Sequence, residues 1–343
     1  MLKGKNSWTF QNRPAIAATG VVGGPFEANG PLRDEFDILH TDLWMEQDSY
    51  EKAHRVLLEE AIDSALGKLN LTPDQIQFMI AGDLINQMTP TTFAARTEQI
   101  PYLGIFGACS TSMEGLALAS FIINNQGAKY IVTGATSHNA AVEKQFRYPT
   151  EYGGQKPPTA QWTVTGAGVA VVTHRQNVQG PAPVLTSATI GKVIDMGLTD
   201  PFNMGGAMAP AAADTIITHL NDMEVEPSYY DAIVTGDLGK IGNQTLKDLL
   251  INQHGLQIQE DRVQDCGLKI YGPEQPVQSG ASGAACSAAV MYGHLLNEMR
   301  KGTYKRILWV ATGALLSPLS YQQKESIPCI AHAVSVEYDD QTG

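Results

Sequence analysis

The sequence contains the same type of strand ending in each of its two halves. One apolar segment ends at Gly82-Asp83-Leu84, and another ends at Gly236-Asp237-Leu238. A second pair, Thr133-Gly-Ala135 and Thr312-Gly-Ala314, follows two further apolar segments in the same order. Apolar strands that alternate with helices are typical of mostly parallel sheets covered on both faces. The repetition therefore predicts one strand-and-helix unit that occurs twice.

Two helices are expected to lie between the two sheets. Residues 111–125 and 284–300 are small and apolar nearly all round, which is the pattern of a helix buried on every side. With further helices outside the sheets, the chain is predicted to be an α/β protein of five layers, αβαβα. We place the two pseudo-duplicated halves at residues 1–180 and 181–343.

A single cysteine stands at the start of the first buried helix. In Leu103-Gly-Ile-Phe-Gly-Ala-Cys-Ser-Thr-Ser-Met-Glu-Gly115, a short apolar run ends in small residues and leads to Cys109. The free backbone N–H groups and the positive dipole end of a helix favour a thiolate or a bound anion there. Cys109 is therefore predicted to be a nucleophile or part of an anion site, and the alternative is a buried structural cysteine.

Charge and cysteine spacing exclude several classes of function. The 343 residues include 35 acidic and 23 basic side chains, with a formal net charge of −12 and no run rich in Lys and Arg. A nucleic-acid partner is therefore not expected. The four cysteines are far apart, so neither a zinc site nor a disulfide framework is predicted, and no metal site is expected.

The hydropathy of the chain gives no membrane segment of its own. No apolar segment follows the N-terminal Met-Leu-Lys-Gly-Lys, and no stretch approaches the roughly 20 apolar residues that a membrane span needs. We expect neither a signal peptide nor a transmembrane helix. Any membrane association is expected to come through a partner.

The chain resembles the thiolase superfamily, which includes the ketoacyl synthases, over nearly its whole length. The strings that carry this resemblance are Gly-Ala-Cys-Ser-Thr around Cys109, Lys129 to Ser137, Thr165-Gly-Ala-Gly168 and Gly280-Ala-Ser-Gly283. Longer strings resemble the stage V sporulation protein AD family, namely residues 107–114, Ser137-His-Asn-Ala140, 145–157 and 310–318. The resemblance implies a thiolase-like five-layer sandwich.

Condensing enzymes of this superfamily use two polar groups besides the cysteine, usually His with His or Asn, to form the thiolate and to hold the thioester oxyanion. At the first of these positions this sequence has Gly236 and Asp237, and at the second it has residues 277–281 without His or Asn. An Asp repels both a thiolate and an enolate oxygen. We therefore expect no catalytic residues and no enzymatic activity. The alternative is an acyltransferase or thioesterase that acts on acyl-CoA or acyl carrier protein through Cys109 alone.

The resemblance also implies a ligand, partners and a location. The expected ligand is dipicolinic acid, pyridine-2,6-dicarboxylate, which could arrive as its calcium chelate, and no cofactor is expected. The chain is expected to serve the movement of this ligand into or out of bacterial spores. It would do so as a homodimer at the inner membrane of the forespore or spore, with the membrane subunits of the dipicolinate channel.

Eight residues are expected to bind the ligand. They are Cys109, Asp83, Ser110, His138, Arg147, Tyr148, Trp162 and Ser282. Positive and flat aromatic side chains suit a planar dianion. The backbone N–H groups after Cys109 suit a carboxylate. Asp83 is expected to contact only a calcium-neutralised ligand, and the alternative is that it caps the next segment.

Overall fold

The computed structural model describes residues 1–146 and 156–340. The strands are β1 Leu2–Lys3, β2 Ser7–Thr9, β3 Pro14–Gly23, β4 Ile38–Leu39, β5 Phe78–Gly82, β6 Tyr102–Gly104, β7 Tyr130–Ser137, β8 Trp162–Thr163, β9 Gly166–His174, β10 Ala182–Ile190, β11 Ala232–Thr235, β12 Val263–Asp265, β13 Ala281–Ser282, β14 Arg306–Ala314 and β15 Cys329–Asp339. The helices are α1 Tyr50–Gly67, α2 Thr89–Glu98, α3 Thr111–Asn124, α4 Asn139–Phe146, α5 Met204–Met223, α6 Gly239–Asp248, α7 Ala284–Ala289, α8 Leu296–Arg300 and α9 Pro318–Gln322. A π-helical segment, Val290–Leu295, joins α7 to α8.

The strand order confirms the predicted duplication. The first half has the order β3-β9-β7-β5-β6, and the second has β10-β15-β14-β11-β12. If the five strands of each half are numbered along the chain, both halves have the same order across the sheet, 1-5-4-2-3. The two sheets meet where Ala15 of β3 pairs with Val184 of β10.

The pairing directions differ from the prediction of mostly parallel sheets. In each half, the second strand pairs in parallel with the third and fourth, as β5 does with β6 and β7. The fifth strand is antiparallel to both of its neighbours, as β9 is to β3 and β7. The second half repeats this pattern around β15. A parallel partner would need a crossover to the far end of the sheet, whereas β9 and β15 start at the end where β7 and β14 finish, with Gly166 opposite Ser137 and Cys329 opposite Ala314, and so run antiparallel.

Three groups of buried apolar side chains fill the spaces between the layers. One lies between α1, α2 and the first sheet, and another lies between α5, α6 and the second sheet. The largest lies around α3 and α7, and α3 contacts β7 and β9 of the first half as well as β14 and β15 of the second. The five layers are therefore as predicted, with α3 buried between the sheets.

Two element boundaries differ from the sequence prediction. The apolar run at residues 129–132 predicts a strand that ends at Val132, but β7 continues to Ser137, since Gly134 lets the backbones of β7 and β9 pack closely, and a Cβ there would lie 2.4 Å from the Gly168 carbonyl oxygen. The Ala-rich run from Pro210 predicts a helix that begins there, but α5 begins at Met204, and Pro210 lies inside it. Proline favours the first helical turn, so its position suggested a start that the chain does not use.

Among the described residues, no helix combines the length and the apolar character needed to cross a membrane. None of the four cysteines is in a disulfide bond, and all four are buried.

Candidate functional site

Cys109 lies in a tight turn that the surrounding side chains hold closed. The turn spans Ala108–Ser110 and leads directly into α3. Ser110 Oγ donates to the Gly107 carbonyl oxygen at 2.6 Å, and Thr111 Oγ1 donates to the Ala108 carbonyl oxygen at 2.7 Å. Ala108 has φ of 51°, a left-handed conformation that costs free energy for a residue with a side chain and is found at functional sites. The hydroxyl groups of Ser110 and Thr111 therefore stabilise the turn that presents Cys109.

Two glycines let the neighbouring strand ends approach this turn. A Cβ on Gly313, near the end of β14, would lie 2.1 Å from the Gly107 carbonyl oxygen. A Cβ on Gly82, at the end of β5, would lie 2.0 Å from the Ile105 carbonyl oxygen. Both contacts are with backbone atoms, so any larger residue would push the strand end away. The cysteine turn is thus fixed between the strand ends of the two halves.

Asp237 is the polar group that contacts the Cys109 thiol. Its carboxyl group is buried and accepts hydrogen bonds from Thr312 Oγ1 at 2.6 Å and from the backbone N–H of Gly283 at 3.3 Å, and the thiol donates to it as well. Burial raises the pKa of Asp237 to about 7, although these hydrogen bonds oppose the shift. The group facing the sulfur is therefore a hydrogen-bond acceptor with a protonation equilibrium near neutral pH.

Asp83 occupies the matching position in the first half but has a different role. Its carboxylate accepts from the backbone N–H of Ile85 at 2.7 Å and from both the N–H and the hydroxyl of Thr91, at 2.9 and 2.5 Å. Thr91 lies in the first turn of α2, so Asp83 caps that helix as the alternative interpretation predicted. In the second half this capping is done by Asp265, which accepts from the N–H groups of Leu238 and Gly239, both at 2.9 Å. Asp237 is thereby left to face Cys109.

A half-open cavity begins at Cys109 and is mostly apolar. It is lined by Leu84, Phe106, Ala108, Cys109, Val142, Glu143, Thr163, Met204, Ser282, Gly283, Ala314 and Leu316. Thr163 and Ser282 are paired in the short parallel ladder between β8 and β13, so their hydroxyl groups lie on the same wall. The described part of this lining contains no histidine and no asparagine. Its hydrogen-bonding groups are hydroxyls, the thiol and one carboxylate.

The carboxylate in the lining belongs to Glu143 of α4, which is 5% exposed. Thr163 Oγ1 donates to Glu143 Oε1 at 3.0 Å, and Lys156 Nζ lies 3.3 Å from Oε2. The same ammonium lies 4.8 Å from the centre of the Trp162 ring. Glu143 is therefore the charged group of the cavity lining, and its charge is paired with that of Lys156, which stacks on Trp162.

The structure brings together only some of the predicted ligand residues. Cys109 and Ser282 line the cavity, whereas Asp83 and Ser110 are buried beside it in the roles described above. Trp162 lies behind Lys156 and contacts Phe26, with ring centres 4.6 Å apart. His138 points away: its Nε2 lies 2.9 Å from the Leu43 carbonyl oxygen, and burial lowers its pKa to about 4. Arg147 and Tyr148 lie outside the described residues.

The sequence interpretation missed Glu143 and Thr163. The polar composition of residues 137–162 predicts a loop, but Asn139–Phe146 is the helix α4, which presents Val142 and Glu143 to the cavity. The run Asn-Ala-Ala-Val-Glu-Lys-Gln after His138 contains good helix formers and was a usable signal. The apolar wall from Met204 and Leu316 comes from the distant second half, and no local pattern indicates it.

Comparison with solved structures gives the fold. Cerulenin-bound OleA of Xanthomonas campestris superposes with a TM-score of 0.60 at 14% identity, covering 96% of this chain and 97% of that chain. The 3-oxoacyl-[acyl-carrier-protein] synthase III of Aquifex aeolicus has a TM-score of 0.54 at 16% identity, covering 95% of this chain and 100% of that chain. The predicted thiolase-like, five-layer fold is therefore confirmed.

Comparison with known sequences gives the family. The sequence profile described as Stage V sporulation protein AD (SpoVAD) matches residues 4–337. Stage V sporulation protein AD of Bacillus subtilis (strain 168) is 49% identical over 337 residues, which are 98% of this chain and 98% of that protein. The resemblance inferred from the cysteine turn and the longer strings is confirmed. This chain belongs to the stage V sporulation protein AD family, which supports a role in sporulation.

Proposed function

We propose that this chain binds dipicolinic acid in the cavity beside Cys109 and does not condense acyl groups. The observation that carries the proposal is the pairing of the Cys109 thiol with the buried carboxyl group of Asp237. Acyl condensation develops negative charge on the sulfur and on a substrate oxygen, and both need donors at fixed positions. Asp237 accepts instead of donating when it is ionised, so it opposes both charges.

The shape and composition of the cavity support a flat aromatic ligand. Leu84, Phe106 and Leu316 provide apolar walls, while Thr163 and Ser282 place hydroxyl groups on one side. Ligand sites are commonly apolar with a few polar groups that fix orientation. Apolar walls suit the faces of a pyridine ring, and its carboxylates could accept hydrogen bonds from the hydroxyl groups.

The charges of the site favour the calcium chelate over the free dianion. A free dianion would meet the Glu143 carboxylate at the cavity wall and Asp237 behind Cys109, and like charges at short distance repel. Calcium neutralises the ligand and takes hard oxygen ligands, which Glu143 can supply once Lys156 moves aside. Because the carboxylate of Asp83 already accepts three hydrogen bonds, we leave Asp83 out of the calcium site. Arg147 and Tyr148 remain candidates for further contacts.

Titration of purified protein with dipicolinate, with and without calcium, tests the binding proposal. We expect binding that calcium strengthens, and we expect Ser282→Val and Glu143→Gln each to weaken it. Asp261→Asn changes an exposed carboxylate elsewhere and serves as the matched control. Unaltered affinity in both cavity variants would place the ligand elsewhere. If Ser282→Val loses binding but calcium has no effect, the cavity stands as the binding site and the proposed role of calcium is wrong.

The absence of condensing activity is tested separately. The protein is incubated with acetyl-CoA and malonyl-CoA, and the intact mass and the products are followed. We expect no turnover. A stable acyl adduct on Cys109 followed by product formation would support the alternative, a Cys109-dependent acyltransferase or thioesterase.

We further propose that the chain acts as a homodimer with membrane subunits of the dipicolinate channel at the spore inner membrane. The resemblance to the superfamily implies that the first-half sheets pair across a two-fold axis, with the apolar strand at residues 129–132 buried there. That strand, however, lies inside the sheet between β5 and β9 and so gives no support. The edge strand β6 does, because Leu103 is 46% exposed. Sedimentation of wild type and Leu103→Asp measures whether this edge associates. A monomer at micromolar wild-type concentration would contradict the dimer.

A further inference from the structure

A second group of polar side chains lies at the π-helical segment, and the proposed ligand site does not use it. Its members are Glu35 from the turn Arg33–Glu35, His294 from the segment Val290–Leu295 and Glu298 from α8. One oxygen or nitrogen atom from each lies within 4.8 Å of the others. All three side chains are about four-fifths buried, with exposures of 19, 20 and 20%.

The backbone explains how the three side chains meet. His294 and Glu298 are four residues apart in a continuous helical run, so they share one face. Gly293 lets the Glu35 backbone approach this run, because a Cβ on Gly293 would lie 2.9 Å from the Glu35 carbonyl oxygen. A segment of the first half is thereby held against the second buried helix.

Neighbouring neutral donors fix one oxygen of each carboxylate. Asn297 Nδ2 donates to Glu35 Oε2, and Thr303 Oγ1 donates to Glu298 Oε2 at 2.8 Å. The other oxygen of each group, Oε1, is left to face a common point. Hydrogen-bonded carboxylates of this kind are the usual outer support of metal ligands.

A cation and an unpaired imidazole nitrogen already face that point. Lys301 Nζ lies 2.8 Å from Glu298 Oε1 and 4.0 Å from Glu35 Oε1. His294 Nδ1 lies 3.5 Å from Glu35 Oε1, is buried, and has no hydrogen-bond partner among the described residues. An imidazole nitrogen held at this distance from a carboxylate oxygen can bind a metal ion together with it.

We propose that Glu35, His294 and Glu298 bind a divalent transition-metal ion of the Zn²⁺ or Mn²⁺ class, which replaces the Lys301 ammonium. Two ligands at ordinary Zn²⁺ distances are about 3.4 Å apart in a tetrahedral site, close to the 3.5 Å between His294 Nδ1 and Glu35 Oε1. The imidazole favours these ions over Ca²⁺ and Mg²⁺, which prefer oxygen. The Lys301 side chain is 61% exposed, so it can leave for solvent.

A metal ion at this position ties the segment at Glu35 to the helix between the sheets. Three protein ligands leave a fourth position for water. None of the three ligands, Glu35, His294 and Glu298, is a Cys or Ser nucleophile, so we assign the ion no catalytic role. The ion therefore stabilises the junction of the two halves without taking part in ligand binding at Cys109.

Calorimetric titration of metal-free protein with ZnCl₂ or MnCl₂ tests the proposal, together with melting curves. Wild type is expected to bind one ion and to melt at a higher temperature with metal. His294→Asn is expected to lower the affinity at least tenfold, and His254→Asn, at an exposed histidine, is the matched control. Lys301→Gln is expected to raise the affinity, because it removes the competing ammonium. Circular dichroism of each metal-free variant shows whether it is folded.

Two results would overturn the proposal. One is the absence of saturable metal binding in both wild type and Lys301→Gln when both proteins are folded. This result would mean that the cluster is only an ion-pair network. The other is binding that His294→Asn does not weaken, which would place the ion elsewhere. A network alone predicts that Lys301→Gln lowers the melting temperature and that neither wild type nor Lys301→Gln binds the metal.

Discussion

Replacing Asp237 with Asn tests whether the group facing Cys109 is a carboxyl group that resists ionisation. The pKa of Asp237 is raised to about 7 by burial, from 3.8 for an unperturbed Asp. Between these values the folded state binds a proton that the unfolded state does not. By proton linkage, stability then falls as the pH rises through this window.

The size of the effect follows from the two pKa values. At pH 5 the folded carboxyl group is protonated and the unfolded one is mostly ionised, a destabilisation of about 2 kcal/mol. At pH 8 both states are ionised, and the destabilisation reaches about 4 kcal/mol. Asn does not titrate. The stability change caused by Asp237→Asn should therefore be more favourable at pH 8 than at pH 5, by about 2–3 kcal/mol.

The assay is urea unfolding of wild type and Asp237→Asn at pH 5 and pH 8. Asn cannot accept all the hydrogen bonds that the carboxyl group accepts, but that cost is the same at both pH values and cancels in the comparison. Asp261→Asn, at an exposed position, is expected to show no comparable difference. An Asp237→Asn effect equal at the two pH values would refute the raised pKa of Asp237.

Two other predictions concern the packing of the cysteine turn and the buried histidines. Gly313→Ala should destabilise the fold by about 2 kcal/mol or more because its Cβ would lie 2.1 Å from the Gly107 carbonyl oxygen, whereas Gly67→Ala, in open space, should be neutral in thermal melts. His54 is fully buried, and burial lowers its pKa to about 4. Its unfolded form takes up a proton first as the pH falls below 6.5, so stability is lost from there towards pH 4, and His54→Leu should reduce that loss by about 3 kcal/mol. An acid unfolding curve of the variant that overlays wild type would contradict this.

The sequence alone predicted the repeated unit, the two buried helices and the turn at Cys109. These follow from local patterns, because apolar strands, small residues at a helix start and repeated strand endings are visible within short windows. It did not predict the antiparallel fifth strands, since strand direction depends on where the chain returns to the sheet. It also could not predict the apolar wall from Met204 and Leu316, which lie far from Cys109 along the chain.

The two Gly-Asp-Leu motifs separate what the sequence determined from what the tertiary structure decided. The sequence placed Asp83 and Asp237 at equivalent strand ends, and the sheet order confirms that equivalence. Their roles differ because their neighbours differ: Thr91 supplies donors to Asp83, whereas Asp265 from another strand caps α6 and leaves Asp237 beside Cys109. The chemistry of a carboxyl group depends on its partners and its burial, and both are set by residues distant in sequence.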